Sequence, residues 1–284
     1  MDHIGEFFPD SPIWFRWLGR LAAPLFFYAL AVGFQHTRNR KKYLLRLYLA
    51  NVGMVFFNQI MCMLQRKLDY VAYQPKNHNI FTTLFCAGVL ICIWENRKEK
   101  KKFFTYIGIY IFWQAMLIKL AILVETYDYL WYGNARLETV LRTDYIFPLL
   151  GGIWDVEGGV FFIALGVCLY CAVEDRWKLT LYYILFCGTY LLMCEGDILY
   201  RIMNRFSFWG YHKLADIIYV GSWSTGIPLG TSDLSLLTEF YQWMMIGALP
   251  IMLSCNGKRG KSLKWLFYAA YPLQFLVLYG ISYY

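Results

Sequence analysis

Charge is what this sequence has least of. Only 16% of its 284 residues are Asp, Glu, Lys or Arg, against 59% hydrophobic and 20% aromatic, with a mean hydropathy of +0.40. One soluble core cannot bury that much apolar surface, so a soluble globular fold is excluded and lipid is the solvent. Histidine is scarce too, four in all, and His78 and His212 have no carboxylate or cysteine at ligand spacing, which argues against a metal site. Cysteine is present eight times, but inside or at the ends of apolar runs. Cys168 and Cys171 share one such run with no zinc or redox setting around them, so the cysteines read as small reduced packing residues. There is no internal repeat and no low-complexity tract, which favours one integral-membrane domain over 1–284. The first residues carry neither a basic n-region nor a small-residue cleavage site, so they do not form a signal peptide.

What is there is a series of apolar stretches, at 13–35, 43–64, 80–94, 103–124, 145–173, 179–199, 236–254 and 265–283. Most approach the roughly 20 residues that cross a hydrocarbon core of about 30 Å at 1.5 Å per residue. The fold class expected is all-α, a polytopic transmembrane bundle of about eight spans. Stretch 145–173 is too long for one straight span and is interrupted by Gly151, Gly152, Gly158 and Gly159, which predicts a re-entrant or unwound segment. Segment 214–228, with Asp216, Gly221, Gly226 and Pro228, reads as a loop or interfacial helix.

The net charge of +8 would suggest a nucleic-acid partner in a soluble protein. Here the basic residues sit in short connections, where they orient helices, so no nucleic acid is expected. Connections 36–46, 95–102, 174–178 and 255–264 carry sixteen lysines and arginines, whereas 65–79, 125–144 and 200–235 carry eight. The richer face is cytoplasmic by the positive-inside rule. The amino terminus of this chain is then extracytoplasmic, and the multi-pass protein belongs in the cytoplasmic membrane.

A few polar residues stand out against this background. His3 follows Asp2 at the outer face, and imidazole, with a reference pKa of about 6.5, suits a general base for an amine or hydroxyl. A solvated terminal histidine fits the same residues, and neighbours at i and i+1 on a helix do not face each other, so Asp2 and His3 need not form a dyad. Arg16 and Arg20 share one helical face. A charged group inside a span costs about 2.5 to 3.5 kcal/mol at the centre, so Arg20, the deeper one, should face protein or a water-filled cavity. Asp155, Glu157, Glu195 and Asp197 are its candidate acidic partners, in a structural or a catalytic pair; Arg16 can equally snorkel to the outer headgroups. On the basic face, Arg38, Asn39, Arg40, Lys41 and Lys42 form one cluster, and Asn256, Lys258 and Arg259 another. Such groups hold phosphates, and Gly257 and Gly260 allow a close backbone approach; anionic lipid is the competing ligand, and the preferred one for 97–102. His36 either touches a ligand there or ends its helix.

The strings Asp2-His-Ile-Gly5, Arg20-Leu-Ala-Ala-Pro24 and Gly33-Phe-Gln-His36-Thr-Arg38-Asn39-Arg40-Lys41-Lys42-Tyr43-Leu-Leu-Arg46 together resemble the TraX family of membrane proteins. Asn79-Ile-Phe-Thr82-Thr83, Asn256-Gly-Lys258-Arg259-Gly260 and Tyr271-Pro272 resemble further blocks of that family, and Asp155 with Gly158-Gly159 does so less closely. Family members usually carry one further helix before the Asp-His-Ile-Gly string, and often a His where this chain has Gln274.

The resemblance implies an enzyme. The family's named activity is acetylation of the amino terminus of conjugative pilin, and it is related to transmembrane acyltransferases that use cytoplasmic acyl-CoA. The implied donor is acetyl-CoA or another acyl-CoA, held by His36, Arg38, Asn39, Arg40, Lys41, Lys42, Asn256, Lys258 and Arg259, with no metal. The implied acceptor is an extracytoplasmic protein amine or glycan hydroxyl. His3, with Asp2, is the implied base, and Arg20 stabilises the departing thiolate. A transporter or channel-like protein, with polar residues and broken helices lining a path, is the alternative; a membrane scaffold for appendage assembly also fits the topology.

Overall fold

The computed structural model describes residues 2–8, 10–67, 79–132, 145–154, 156–195, 241–255 and 264–282, with the single positions 205 and 237. Among them the structure is helical and contains no strand. Chain order gives α1 (Asp2–Phe7), α2 (Trp14–Gly19), α3 (Ala22–His36), α4 (Arg40–Lys67), α5 (Ile80–Glu95), α6 (Lys100–Tyr132), α7 (Phe147–Leu150), α8 (Gly159–Ala172) and α9 (Arg176–Glu195). A 3₁₀ segment, Tyr241–Gly247, then leads into α10 (Ala248–Ser254), and α11 is Lys264–Ser282.

Four helical paths among the described residues are long and apolar enough to cross a membrane: Trp14–His36, Arg40–Leu64, Ile80–Lys98 and Lys100–Val124. Gly159–Ala172 and Leu266–Ile281 are apolar but shorter. Stretch 236–254 is divided between the 3₁₀ segment and α10, which is why its hydropathy does not translate into one long helix. Segment 214–228 lies outside the described residues.

Helix α5 is the centre of the bundle. It is apolar on every side, as a buried helix must be, and ten of its sixteen residues are buried. It packs against α3, α4, α6 and α8. Small residues permit this crowding: a Cβ on Gly88 would meet Leu44 at 2.8 Å and Phe34 at 3.1 Å, and one on Gly166 of α8 would meet Ala87 and Phe27 at 2.9 Å. Close backbone approach at small residues is how helices associate in lipid. The outward faces of α4 and α6 are apolar instead, with Leu49, Phe56, Ile60, Phe104, Ile109 and Phe112 exposed.

The glycine-rich break is present. Gly151, Gly158 and Gly159 take positive φ values of 70°, 75° and 60°, ending α7, opening a turn and restarting as α8. Unwound backbone inside a bundle leaves carbonyls that only protein can satisfy, and side chains from three helices do so. Asn51 and Tyr48 of α4 donate to the Pro148 and Leu149 carbonyls at 2.6 and 2.9 Å. Trp113 and Gln114 of α6 donate to Leu150 and Gly151 at 2.9 and 3.0 Å, while Gln114 Oε1 accepts the Ile153 N–H at 3.1 Å. Thr83 of α5 donates to the Glu157 carbonyl at 2.6 Å.

Among the described residues, those of three basic connections lie close together. Arg40 pairs with Glu95 at 2.8 Å, and the Tyr170 hydroxyl near the end of α8 donates to the same carboxylate at 2.7 Å. Cys255, where the fourth connection begins, lies by Tyr28 together with Arg176. Tyr28 is eight residues before the end of α3, and Cys255 itself is exposed.

Candidate functional site

Helix α1 positions His3. Arg16 donates from Nε and Nη2 to the Gly5 carbonyl at 3.1 and 2.9 Å and from Nη1 to the Tyr241 hydroxyl at 2.9 Å, so one guanidinium joins α1, α2 and the 3₁₀ segment. Along α11, Phe7 packs edge-on to Tyr279 with ring centroids 4.9 Å apart. One turn earlier the half-buried His3 ring lies 4.4 Å from Phe275 and 6.2 Å, edge-on, from Tyr271. His3 is thus inside an aromatic wall rather than on a solvated terminus. The side chain of Asp2 lies outside what the structure describes.

Next to His3 is a polar knot. The Tyr271 hydroxyl donates to Glu157 Oε2 at 2.6 Å and accepts the Ile80 N–H at 3.4 Å. At the start of α5 the Asn79 amide donates to Asn51 Oδ1 at 2.7 Å, and Thr82 donates to that oxygen at 2.7 Å. Asn51, Asn79, Thr82 and Thr83 are all at most 2% exposed. The restarted helix after Gly158 therefore delivers a carboxylate, and α5 a set of amides and hydroxyls, to the wall that holds His3.

Arg20 faces protein, as its intramembrane cost requires. Its described partner is the amide oxygen of Gln242, at 2.8 Å, and its guanidinium carbon stands 5.0 Å over the Tyr241 ring. Of the carboxylates expected to meet it, Glu157 turns to Tyr271 instead, because the positive-φ turn at Gly158 aims it at α11. Asp155, Asp197 and the side chain of Glu195 lie outside the described residues.

At the basic end the cluster divides by role. Arg40 is committed to structure: it ion-pairs with Glu95, donates to the Phe34 and Thr37 carbonyls and lies 5.6 Å over the Phe34 ring. Asn39 caps α4, its Oδ1 accepting the Lys42 N–H at 2.9 Å, the role such a side chain plays before the first helical turn. His36, Arg38, Lys41 and Lys42 are exposed. Asn256, Lys258 and Arg259 lie outside the described residues.

Sequence reasoning passed over Arg46, one turn and a half into α4. Its guanidinium sits 5.6 Å over the Tyr43 ring and beside Tyr268, and its buried Nε has no hydrogen-bond partner among the described residues. It borders a cavity of about 180 Å³ whose walls include Leu30, Tyr43, Leu47, Leu84, Phe267 and Tyr268. Tyr271, Asn79 and Arg46 each stood inside the family strings, which is the signal that could have singled them out.

Among the described residues no group of His, Cys, Asp and Glu is arranged to hold a metal ion. No curated protein and no solved structure matches the chain. The family model described as TraX protein matches residues 1–144, a range that holds the helix of His3, the Gly33 to Arg46 string and the Asn79 to Thr83 block. With just over half its length matched, this helical membrane protein belongs to the TraX family.

Proposed function

We propose that the protein is an integral-membrane acyltransferase that moves an acetyl group from acetyl-CoA on its basic face to an amine or hydroxyl on the opposite face. The observation that carries this reading is the spacing along α11: Tyr268, in the cavity wall beside Arg46, and Tyr271, beside His3, are three residues apart, or about 4.5 Å of helix. A base and a donor path approaching from opposite sides thus come within one turn of each other.

In this reading the chain is one domain crossing the cytoplasmic membrane about eight times, with its basic connections cytoplasmic. The phosphates of the donor meet His36, Arg38, Lys41 and Lys42 together with Asn256, Lys258 and Arg259, by charge-assisted hydrogen bonds. Asn39 and Arg40 hold that cluster in shape. His3 removes the acceptor's proton, the acceptor's nitrogen or oxygen attacks the acyl carbon, and the C–S bond breaks to release the thiolate. Arg20 supplies positive potential within the bundle.

The transporter reading is weaker on a specific point. Backbone oxygens freed at a broken helix are what coordinate ions in transporters. Here the Pro148, Leu149, Leu150, Gly151 and Glu157 carbonyls already accept hydrogen bonds from side chains.

The test is radiolabelled acetyl-CoA with the purified protein in nanodiscs, followed by separation of acetylated protein and glycan acceptors. Label in an acceptor supports the reading. Protein that neither binds nor consumes acyl-CoA overturns it.

A further inference from the structure

The cavity beside Arg46 is small and apolar. At about 180 Å³ it is smaller than the roughly 300 to 1,000 Å³ of sites that enclose a whole small ligand. It therefore admits an arm of a ligand and not the whole. Its walls are aliphatic and aromatic apart from two tyrosine hydroxyls, so that arm is uncharged. The cation at its edge, with a buried donor to offer, favours an arm attached to a phosphate. On the acyltransferase reading above, which this inference rests on, the occupant is the phosphopantetheine arm of the acyl-CoA.

One buried ring touches both the cavity wall and the wall that holds His3. Phe81 is 1% exposed and sits on α5 one turn from Leu84, which lines the cavity. Its ring centroid is 6.3 Å from Phe267 and 5.8 Å from Tyr268 on the cavity side, and 5.4 Å, edge-on, from Tyr271 on the His3 side. The adjacent Ile80 N–H is donated to the Tyr271 hydroxyl, which holds this part of α5 against α11. Phe81 is therefore the layer between the two halves of the site.

We propose that Phe81 is a gate: it separates the donor cavity from His3 and Tyr271, and a donor arm must displace its ring to bring the thioester to His3. The closed ring keeps water that reaches His3 away from a waiting thioester. With the gate removed and no acceptor present, water attacks the acyl carbon, the C–S bond breaks, and the products are the free acid and the thiol.

Two measurements test this separately from the acyltransferase reading. In the first, His3→Cys in sealed, oriented vesicles is exposed to a membrane-impermeant thiol reagent added on the side that carries the basic connections, and modification is read by mass spectrometry on the peptide holding residue 3. Protection with Phe81 present and rapid labelling in Phe81→Ala is the expected result. Phe81→Leu, a milder change that preserves an apolar core, should label at an intermediate rate. Equal labelling in all three overturns the gate. Added pantetheine should slow labelling of the Phe81→Ala protein; slowing that follows the phospholipid composition of the vesicle and not pantetheine means that a lipid chain fills the cavity, and overturns the donor route. In the second, acetyl-CoA hydrolysis without acceptor is measured with His3 intact, and should rise about tenfold in Phe81→Ala as water gains access. Labelling that opens while acyl-CoA is neither bound nor consumed upholds the gate and sinks the acyltransferase reading instead.

Discussion

The Tyr271 hydroxyl and the Glu157 carboxylate are 2.6 Å apart, and that one contact joins the last described helix to the glycine-broken turn. It also fixes the wall against which His3 lies. Removing the hydroxyl leaves the carboxylate with one donor fewer in a part-buried site. Tyr271→Phe should lower stability by about 1–3 kcal/mol, the usual cost of orphaning such a group. A thermal melt in detergent reads this. Glu157→Gln, which keeps an acceptor oxygen, should cost less; an equal loss from both would mean that the contact contributes through charge alone.

Arg40 and Lys42 are two residues apart in a basic run and should behave differently. Arg40→Ala strips Glu95 of its ion-pair partner and two carbonyls of their donor. The pair is partly exposed and therefore screened, so the expected loss is modest, about 1–2 kcal/mol, carried mostly by the charged hydrogen bonds. Lys42→Ala touches no described side chain partner and should leave the melt unchanged while weakening acyl-CoA binding, measured by calorimetry. Reversed behaviour would return Arg40 to the ligand-binding set.

Gly158 combines two constraints. Its φ of 75° is one that side-chain-bearing residues rarely adopt, and an added Cβ would come within 2.8 Å of Phe162. Gly158→Ala should therefore destabilise by about 1–3 kcal/mol. Gly53, inside α4 with nothing within 4 Å of its added Cβ, is the control. Alanine there should be neutral or stabilise by up to about 1 kcal/mol, because it reduces the backbone entropy lost on folding.

These glycines mark what a sequence can and cannot disclose. The break at 151–159 was legible because four glycines interrupt a run too long for one span, and the four long helices before it because apolar length is dictated by the bilayer, whereas the remaining expected spans do not appear as helices of that length among the described residues. The grouping of 36–46 with 95–102 was legible from charge alone. Arg40 was not: a basic residue that staples a helix end looks the same in one dimension as one that awaits a phosphate, and only the position of Glu95 separates them. Asn51 and Gln114 were passed over because their meaning lies in carbonyls about a hundred and about forty positions away. Phe81 was hidden by its surroundings, since one phenylalanine among 22 carries no mark of standing between two compartments.

His3 carries most of the functional proposal, and its packing dictates how it should be tested. Its ring fills space against Phe275 at 4.4 Å, so His3→Ala removes both a base and a piece of the aromatic wall. His3→Phe retains the ring and removes only the base. If the imidazole acts in the transition state, both variants should lose transfer by about a hundredfold or more, while acyl-CoA binding stays near its original strength, since a group used only at the barrier adds little to ground-state affinity. Arg259→Ala should do the opposite, raising the concentration of acyl-CoA needed while the rate at saturation holds. Transfer rates over a range of acetyl-CoA concentrations, with direct binding measured alongside, distinguish the two patterns. Activity retained in His3→Phe but lost in His3→Ala would make the ring a packing element, and the base would have to be sought elsewhere along the wall formed by Tyr271 and Glu157.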